Sequence, residues 1–381
     1  MEKKQRLSGI DLCRGLAAYA VILVHSGDET WGVPVGQWTS EFRSLFYFAV
    51  PFFLATSFYL MTRKVDSKVI SWEFWNSRLQ RILIPCAIWS VIFLIARSIL
   101  FSINHQSERL QQLFQDPLAI AFFGGASYHL YFLPLLFTGS FSILIAYYLV
   151  KLRVDIKVII FLLVLSLIIY EANLNSGNAF QLGTYVAFEN FLNSLPANKI
   201  EYHFLRIIFV QIAFIIRCLP YLFAAMILQD FLSGKRSIKL QNDLTIYACL
   251  VIFSLSSTWF KDFLPRALNE IVLAYSLLLI GIGLCDRLNN NKAIKSLGLC
   301  SFGIYLIHPL SMNVVKILIA RIAPQLTTQV TIVSMLFFSL SSFFLSWWAV
   351  SILIKNEWSA RYMFGATSKR NTQLMAYSEN K

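Results

Sequence analysis

Apolar residues run continuously, not alternately, along most of this chain. A helix needs about 17–25 such residues to cross a bilayer. Ten stretches reach or approach that length: 9–27, 42–61, 82–101, 129–150, 156–171, 204–230, 244–260, 266–285, 298–319 and 330–354. The fifth is short, and 180–192 reads as loop or as a segment lying in the interface. Unbroken runs predict spanning helices; barrel strands would alternate lipid-facing and lumen-facing positions. The expected fold is an all-α integral membrane protein, a single bundle of about ten transmembrane helices. It occupies one domain, 1–355, followed by a polar cytosolic tail, 356–381. Loops 102–128 and 172–203 would supply the extracytosolic surface.

Orientation follows from the basic residues, which favour cytosolic loops. With the N-terminus inside, cytosolic segments carry Lys3, Lys4 and Arg6, then Arg63, Lys64, Lys68, Arg78 and Arg81, then Lys151, Arg153 and Lys157. Later ones carry Lys235, Arg236, Lys239, Arg287, Lys292 and Lys295, and the tail is basic too. The outer loops hold only Arg109, Lys199, Lys261 and Arg321. Both termini are therefore expected in the cytosol. The N-terminus resembles a signal peptide in its cations, but Asp11 and Arg14 interrupt the apolar region, so it reads as a retained first span.

Composition agrees. Hydrophobic residues make up 57 % of the 381 and charged residues 14 %. That excludes a soluble globular protein, which could not hide so much apolar surface, and intrinsic disorder, which needs low hydrophobicity. The net charge of +13 would suggest nucleic acid in a soluble chain; here it fixes orientation, and the partner is the lipid bilayer. Cys13, Cys86, Cys218, Cys249, Cys285 and Cys300 lie in or beside apolar runs without metal-ligand spacing, so they read as small buried hydrophobes.

Ionisable residues inside spans are costly and need a reason. The first span holds Asp11, Arg14 and His25. Eleven residues on an α-helix make three turns plus roughly 20°, with a rise of about 16 Å, so Arg14 and His25 share a face. Asp11 is one turn before Arg14 and can pair with it. A cation near the cytosolic mouth suits a phosphate-bearing molecule, and an imidazole deeper in suits a general base. An Asp–Arg structural pair with a histidine capping the helix is the alternative.

Arg14, ten residues, His25 resembles the defining motif of acyltransferase family 3, the multi-span O-acyltransferases of bacterial envelopes. Four further stretches resemble that family in order. Phe48-Ala-Val-Pro51-Phe52-Phe53 is similar to its Pro-Phe-Phe motif, with Thr56-Ser57-Phe58 where Ser-Gly-Phe is usual. Arg78-Leu-Gln-Arg81-Ile-Leu-Ile-Pro85 resembles its Arg-x-x-Arg entry to the third span. His129-Leu-Tyr131-Phe132-Leu133 resembles its His-Leu-Trp-Phe-Leu motif, with Tyr for Trp. Ser301-Phe-Gly-Ile-Tyr305-Leu-Ile-His308-Pro309 resembles its late Ser-x-Gly-x-Tyr-x-x-His motif. Many relatives carry a C-terminal esterase-like domain; none is expected here.

The resemblance implies an O-acyltransferase, most simply an O-acetyltransferase, in the cell (plasma or inner) membrane. Its donor would be cytosolic acetyl-CoA or another acyl-CoA, and its acceptor a sugar hydroxyl of an envelope polysaccharide or glycoconjugate. Expected catalytic residues are His25 and Arg14, with Arg14, Arg78 and Arg81 on the donor. Asp11, His129, Arg217, Ser301, Tyr305 and His308 are expected to bind the acceptor or support the site. For each a plainer reading stands: membrane anchoring for Arg78 and Arg81, interhelical hydrogen bonding for the 301–308 group, interfacial belt chemistry for His129, structural pairing for Arg217. Gly281-Ile-Gly283 reads as helix packing. No Walker loop, zinc motif or GxSxG elbow occurs, and neither a metal nor a permanently bound cofactor is expected. The rival from another class is a secondary transporter of a polar or anionic solute, which calls for inverted repeats and broken spans in matching positions; neither is visible.

Overall fold

The computed structural model describes residues 7–27, 35–65, 71–114, 116–176, 202–233, 241–288, 291–328 and 330–366. Lys3, Lys4 and Arg6, most of loop 172–203 with its 180–192 segment, and the tail beyond 366 lie outside them. The described chain is helical: α1 (Ser8–Val24), α2 (Gln37–Ser44), α3 (Ala49–Thr62), α4 (Trp72–Arg78), α5 (Ile84–Ile103), α6 (Ser107–Leu113), α7 (Pro117–Phe123), α8 (Phe132–Gly139), α9 (Ile143–Lys151), α10 (Ile156–Asn175), α11 (Tyr202–Ser233), α12 (Asp243–Thr258), α13 (Arg266–Gly283), α14 (Lys292–Ile322) and α15 (Ile332–Leu353). The only strand-like pairing among the described residues is an isolated bridge between Val35 and Val330.

Among the described residues, eight helical segments are long and apolar enough to cross a membrane: Gln37–Thr62, Trp72–Ile103, Phe132–Lys151, Ile156–Asn175, Leu205–Leu232, Arg266–Gly283, Lys292–Ile322 and Ile332–Leu353. The remaining two expected spans are shorter helices, α1 with 17 residues and α12 with 16. The third span begins earlier than its apolar run because α4 continues into it through a π turn, Leu79–Leu83. Pro85 explains the turn. Proline lacks an N–H and its ring clashes with the carbonyl four residues back, here Arg81, and widening the helix relieves both.

Two compact units form. The first joins residues 1–57 with 235–356, the second 58–234 with 357–381. In the first unit α1 packs on α13, α14 and α15, while α12 lies along α13. Glycine sets how closely α1 approaches. A Cβ at Gly9 would stand 2.0 Å from the Gly281 carbonyl oxygen, one at Gly15 2.2 Å from the Leu297 side chain, and one at Gly298 2.3 Å from Asp11. Gly281 is thus a helix-packing glycine, as its spacing suggests. Asp11 against Gly298 near one end and His25 beside His308 at the other pair rising numbers on α1 with rising numbers on α14: the two helices run parallel. Tyr19 meets Phe343 and its hydroxyl shares a hydrogen bond of 3.1 Å with Ser339, while Leu23 meets Met335; α15 therefore runs antiparallel to α1.

In the second unit α11 packs on α8 and α10. Residues 357–366, which the sequence places in the polar tail, form a second π turn, Ser359–Met363, and fold back within this unit. Trp89 Nε1 donates to the Met363 carbonyl at 3.0 Å. Gly365, at φ +59°, lies so near the Arg81 backbone that a Cβ would be 2.5 Å from its carbonyl oxygen; only glycine combines that φ with that proximity.

Gly9→Leu is expected to lower stability by about 1–3 kcal/mol or more, the cost of overpacking a close contact, and thermal unfolding of the purified protein will measure it. An unchanged melting temperature would mean that α1 and α13 do not touch there.

Candidate active site

Six of the residues singled out from sequence lie on α1 and α14 of the first unit. At the start of α1, Asp11 and Arg14 form the expected one-turn pair, Oδ1 to guanidinium 3.8 Å. Asp11 is buried against the Cα of Gly298. Arg14 keeps about a quarter of its side chain exposed, at 26 %. Ser301 is buried and donates to the Gly298 carbonyl at 3.0 Å, so its hydroxyl is engaged within its own helix.

At the other end α1 stops at His25, whose backbone (φ −89°, ψ 1°) leaves the helix while its N–H still donates to Val21. The His25 ring stacks on that of His308, centroids 5.8 Å apart and planes 21° off parallel. His308 is fully buried, and its orientation follows from its neighbour. Pro309 cannot donate to the carbonyl four residues back, that of Tyr305. That carbonyl instead meets His308 Nδ1 at 2.6 Å. A carbonyl only accepts, so Nδ1 carries the proton and the neutral ring keeps its lone pair on Nε2. The Tyr305 ring lies 6.0 Å from His308 and 6.3 Å from Phe53. The Pro51-Phe52-Phe53 and Ser301–Pro309 motifs thus meet through Phe53 and Tyr305.

A residue that no spacing rule singles out also belongs here. Arg43 of α2 places its guanidinium beside Gly27, two positions past His25. It is far from any motif in sequence, and only the fold of α2 onto α1 and α15 brings it in.

The other four lie in the second unit. Arg78 donates through Nε and Nη2 to Ser140 Oγ, at 3.1 and 2.6 Å, and that hydroxyl donates on to the Leu136 carbonyl at 2.6 Å. Arg81 is exposed. Arg217 is buried on α11, next to Cys218, whose sulfur packs where a Cβ of Gly139 would stand. His129 is buried, with only 2 % exposed. Its ring meets Phe93 edge-on at 5.2 Å and Tyr128 at 5.5 Å. Beside it Arg97, within the third span, donates to Ser127 Oγ at 3.5 Å. All six cysteines are buried, and none is in a disulfide. Among the described residues no three His, Cys, Asp or Glu side chains stand together as a metal site would require.

Residues 7–351 match the sequence profile of an acyltransferase domain, that of acyltransferase family 3. The chain belongs to acyltransferase family 3. It is a membrane acyltransferase, a multi-pass protein whose family domain takes in nearly the whole chain. No curated protein and no solved structure matches it. All five stretches quoted from the sequence fall inside the matched range.

Ser140→Ala removes the acceptor of both Arg78 hydrogen bonds and should cost about 1.5–3 kcal/mol, as expected when a charged donor loses its partner. Thermal unfolding reads the loss; a variant as stable as the wild type would show that Arg78 is held by something other than Ser140.

Proposed function

We propose that the protein transfers an acetyl group from cytosolic acetyl-CoA to a sugar hydroxyl of an envelope polysaccharide or glycoconjugate, at the plasma or inner membrane. The observation that carries this reading is the layout of α1. A cation partnered by Asp11 stands at one end, and about 16 Å further along an imidazole packs against a second, hydrogen-bonded imidazole. A donor with phosphates at one end and a thioester at the other matches that layout. Arg14 binds phosphate through its planar fork. His25 takes the proton from the acceptor hydroxyl as its oxygen attacks the thioester carbonyl. His308, pinned by the Tyr305 carbonyl, fixes the face on which His25 stacks; Asp11, seated against Gly298, holds α1 and α14 in register, and Ser301 supports α14 from within. On motif resemblance, Arg78 and Arg81 are assigned to donor phosphate and His129 to the acceptor or its support; Arg217, a buried mid-span cation on α11, is assigned to the acceptor or its support on the cost of its burial.

Ten crossings with both termini in the cytosol remain the preferred topology. Helices that cross one bilayer in the same direction must have an odd number of crossings between them. Six of the eight long helices lie between the parallel α1 and α14, and α12 makes seven. The pairing of α12 with α13 supports its counting as a span: its first turn meets the end of α13 through Asp243 with Arg287 and through Gln241 with Asp286.

His25→Ala is expected to lower transfer by roughly 10²–10⁴-fold while leaving folding and acetyl-CoA binding intact. His25→Gln should be nearly as inactive, because an amide cannot take up the proton. Initial rates of label transfer from acetyl-CoA on folded variants decide it, and a folded Gln variant with near-normal rate would remove His25 as the base. Arg14→Lys should weaken the thermal stabilisation that acetyl-CoA gives the native state, since a point charge cannot reproduce a two-pronged contact. An undiminished stabilisation would leave Arg14 a purely structural role.

A further inference from the structure

Acyl transfer of the kind just proposed, on which this inference rests, develops negative charge on the thioester carbonyl oxygen as the acceptor oxygen bonds to the carbonyl carbon. That charge forms at His25, because the base must be within hydrogen-bond reach of the attacking hydroxyl. Arg14 cannot meet it. It stands on the same continuous helix, about 16 Å away along the axis, farther than an arginine side chain extends, and it is paired with Asp11. A cation at the reacting end must come from another element.

α2 provides one. Its Arg43 guanidinium lies where a side chain on Gly27 would go: a Cβ there would stand 2.8 Å from Nη1 and 3.8 Å from Cζ. The flanking residues hold α2 in place. Phe42 and Phe46 pack with Tyr19 and Val35 against the buried cluster of Leu23, Val330 and Met335, and the Tyr19 and Phe46 rings meet edge-on at 6.2 Å. Arg43 is thus presented by a helix anchored on both sides to the end of α1 that carries His25.

We infer that Arg43 is a catalytic residue: its guanidinium binds the thioester carbonyl oxygen and stabilises the charge that oxygen acquires during transfer. The acceptor oxygen bonds to the carbonyl carbon as its proton moves to His25. The carbonyl re-forms, the carbon–sulfur bond breaks, and the proton on His25 passes to the departing sulfur. The products are the ester and free CoA, and no further reactant is needed. The two arginines divide the donor between them, Arg14 at its phosphates and Arg43 at its thioester.

The test compares acetyl-CoA with fluoroacetyl-CoA in membrane vesicles that hold the full-length protein and envelope glycan, reading CoA release as free thiol. Arg43→Gln is expected to lose about 10²–10³-fold in kcat, the usual cost of removing an oxyanion donor, with the acetyl-CoA half-saturation and the melting temperature unchanged. Fluorine stabilises the oxyanion by itself, so the deficit should shrink several-fold with fluoroacetyl-CoA; a merely structural arginine would show the same deficit with both donors. Arg43→Lys, which keeps the charge, should fall between wild type and Gln, and it carries the same donor comparison if the Gln variant does not fold. Equal deficits with the two donors, or a Gln variant at full rate beside an active wild type, would overturn the inference alone. A wild type that releases no CoA in the presence of glycan would overturn the acyl-transfer reading and this inference with it.

Discussion

Everything proposed for the site depends on one contact, the close parallel packing of α1 against α14. Lipid gives no hydrophobic reward for bringing two helices together, so they associate through close van der Waals contact and hydrogen bonds, and small residues let the backbones approach. Gly9 and Gly281 allow α1 onto α13, and Gly15 and Gly298 allow it onto α14. At that separation Asp11 fits against the bare Cα of Gly298 at one end, and His25 lies flat on His308 at the other. A methyl group at Gly298 would strike Asp11 and part α1 from α14, and one at Gly9 would strike the Gly281 carbonyl and push α1 off α13.

A second local device refines the geometry. Pro309 costs α14 one backbone hydrogen bond, and the carbonyl it frees is used to orient His308. An ordinary helix defect becomes the support that fixes a tautomer and a ring plane. Pro85 acts comparably in the second unit, where the π turn it requires brings the Arg81 backbone against Gly365. In both cases the proline of a motif matters through the carbonyl four residues before it.

Much of this was legible in the chain. Helical periodicity puts Arg14 and His25 on one face and Asp11 beside Arg14, and the structure pairs the latter two. The family resemblance drew in His308, which stacks on His25, and Tyr305, whose ring lies against His308. Apolar length, by contrast, was a poor guide to element ends. It could not show that α4 joins the third span through a π turn, since that follows from where a proline finds room, nor that the fourth span is interrupted at Ser140–Ser142, where the helix tightens beside Arg78. The tyrosines flanking His129 suggest belt chemistry as readily as a site role, and no sequence pattern shows that the turn following Gly124, at φ +73°, brings its ring against Phe93. Arg43 lies in the apolar run 42–61, where a charge needs a reason, but the sequence does not say what it faces. Its importance comes from a tertiary approach of α2 to the end of α1, and no spacing within the sequence encodes that.

The central claim is that the acyl group itself is moved onto a glycan. Acetyl-CoA labelled in the acetyl carbonyl, presented on the cytosolic side of vesicles containing only this protein and envelope glycan, tests it most directly. The account predicts label in alkali-labile esters on the glycan, at a rate that depends on acetyl-CoA. Label appearing only as free acetate, or no label leaving acetyl-CoA at all, would contradict it.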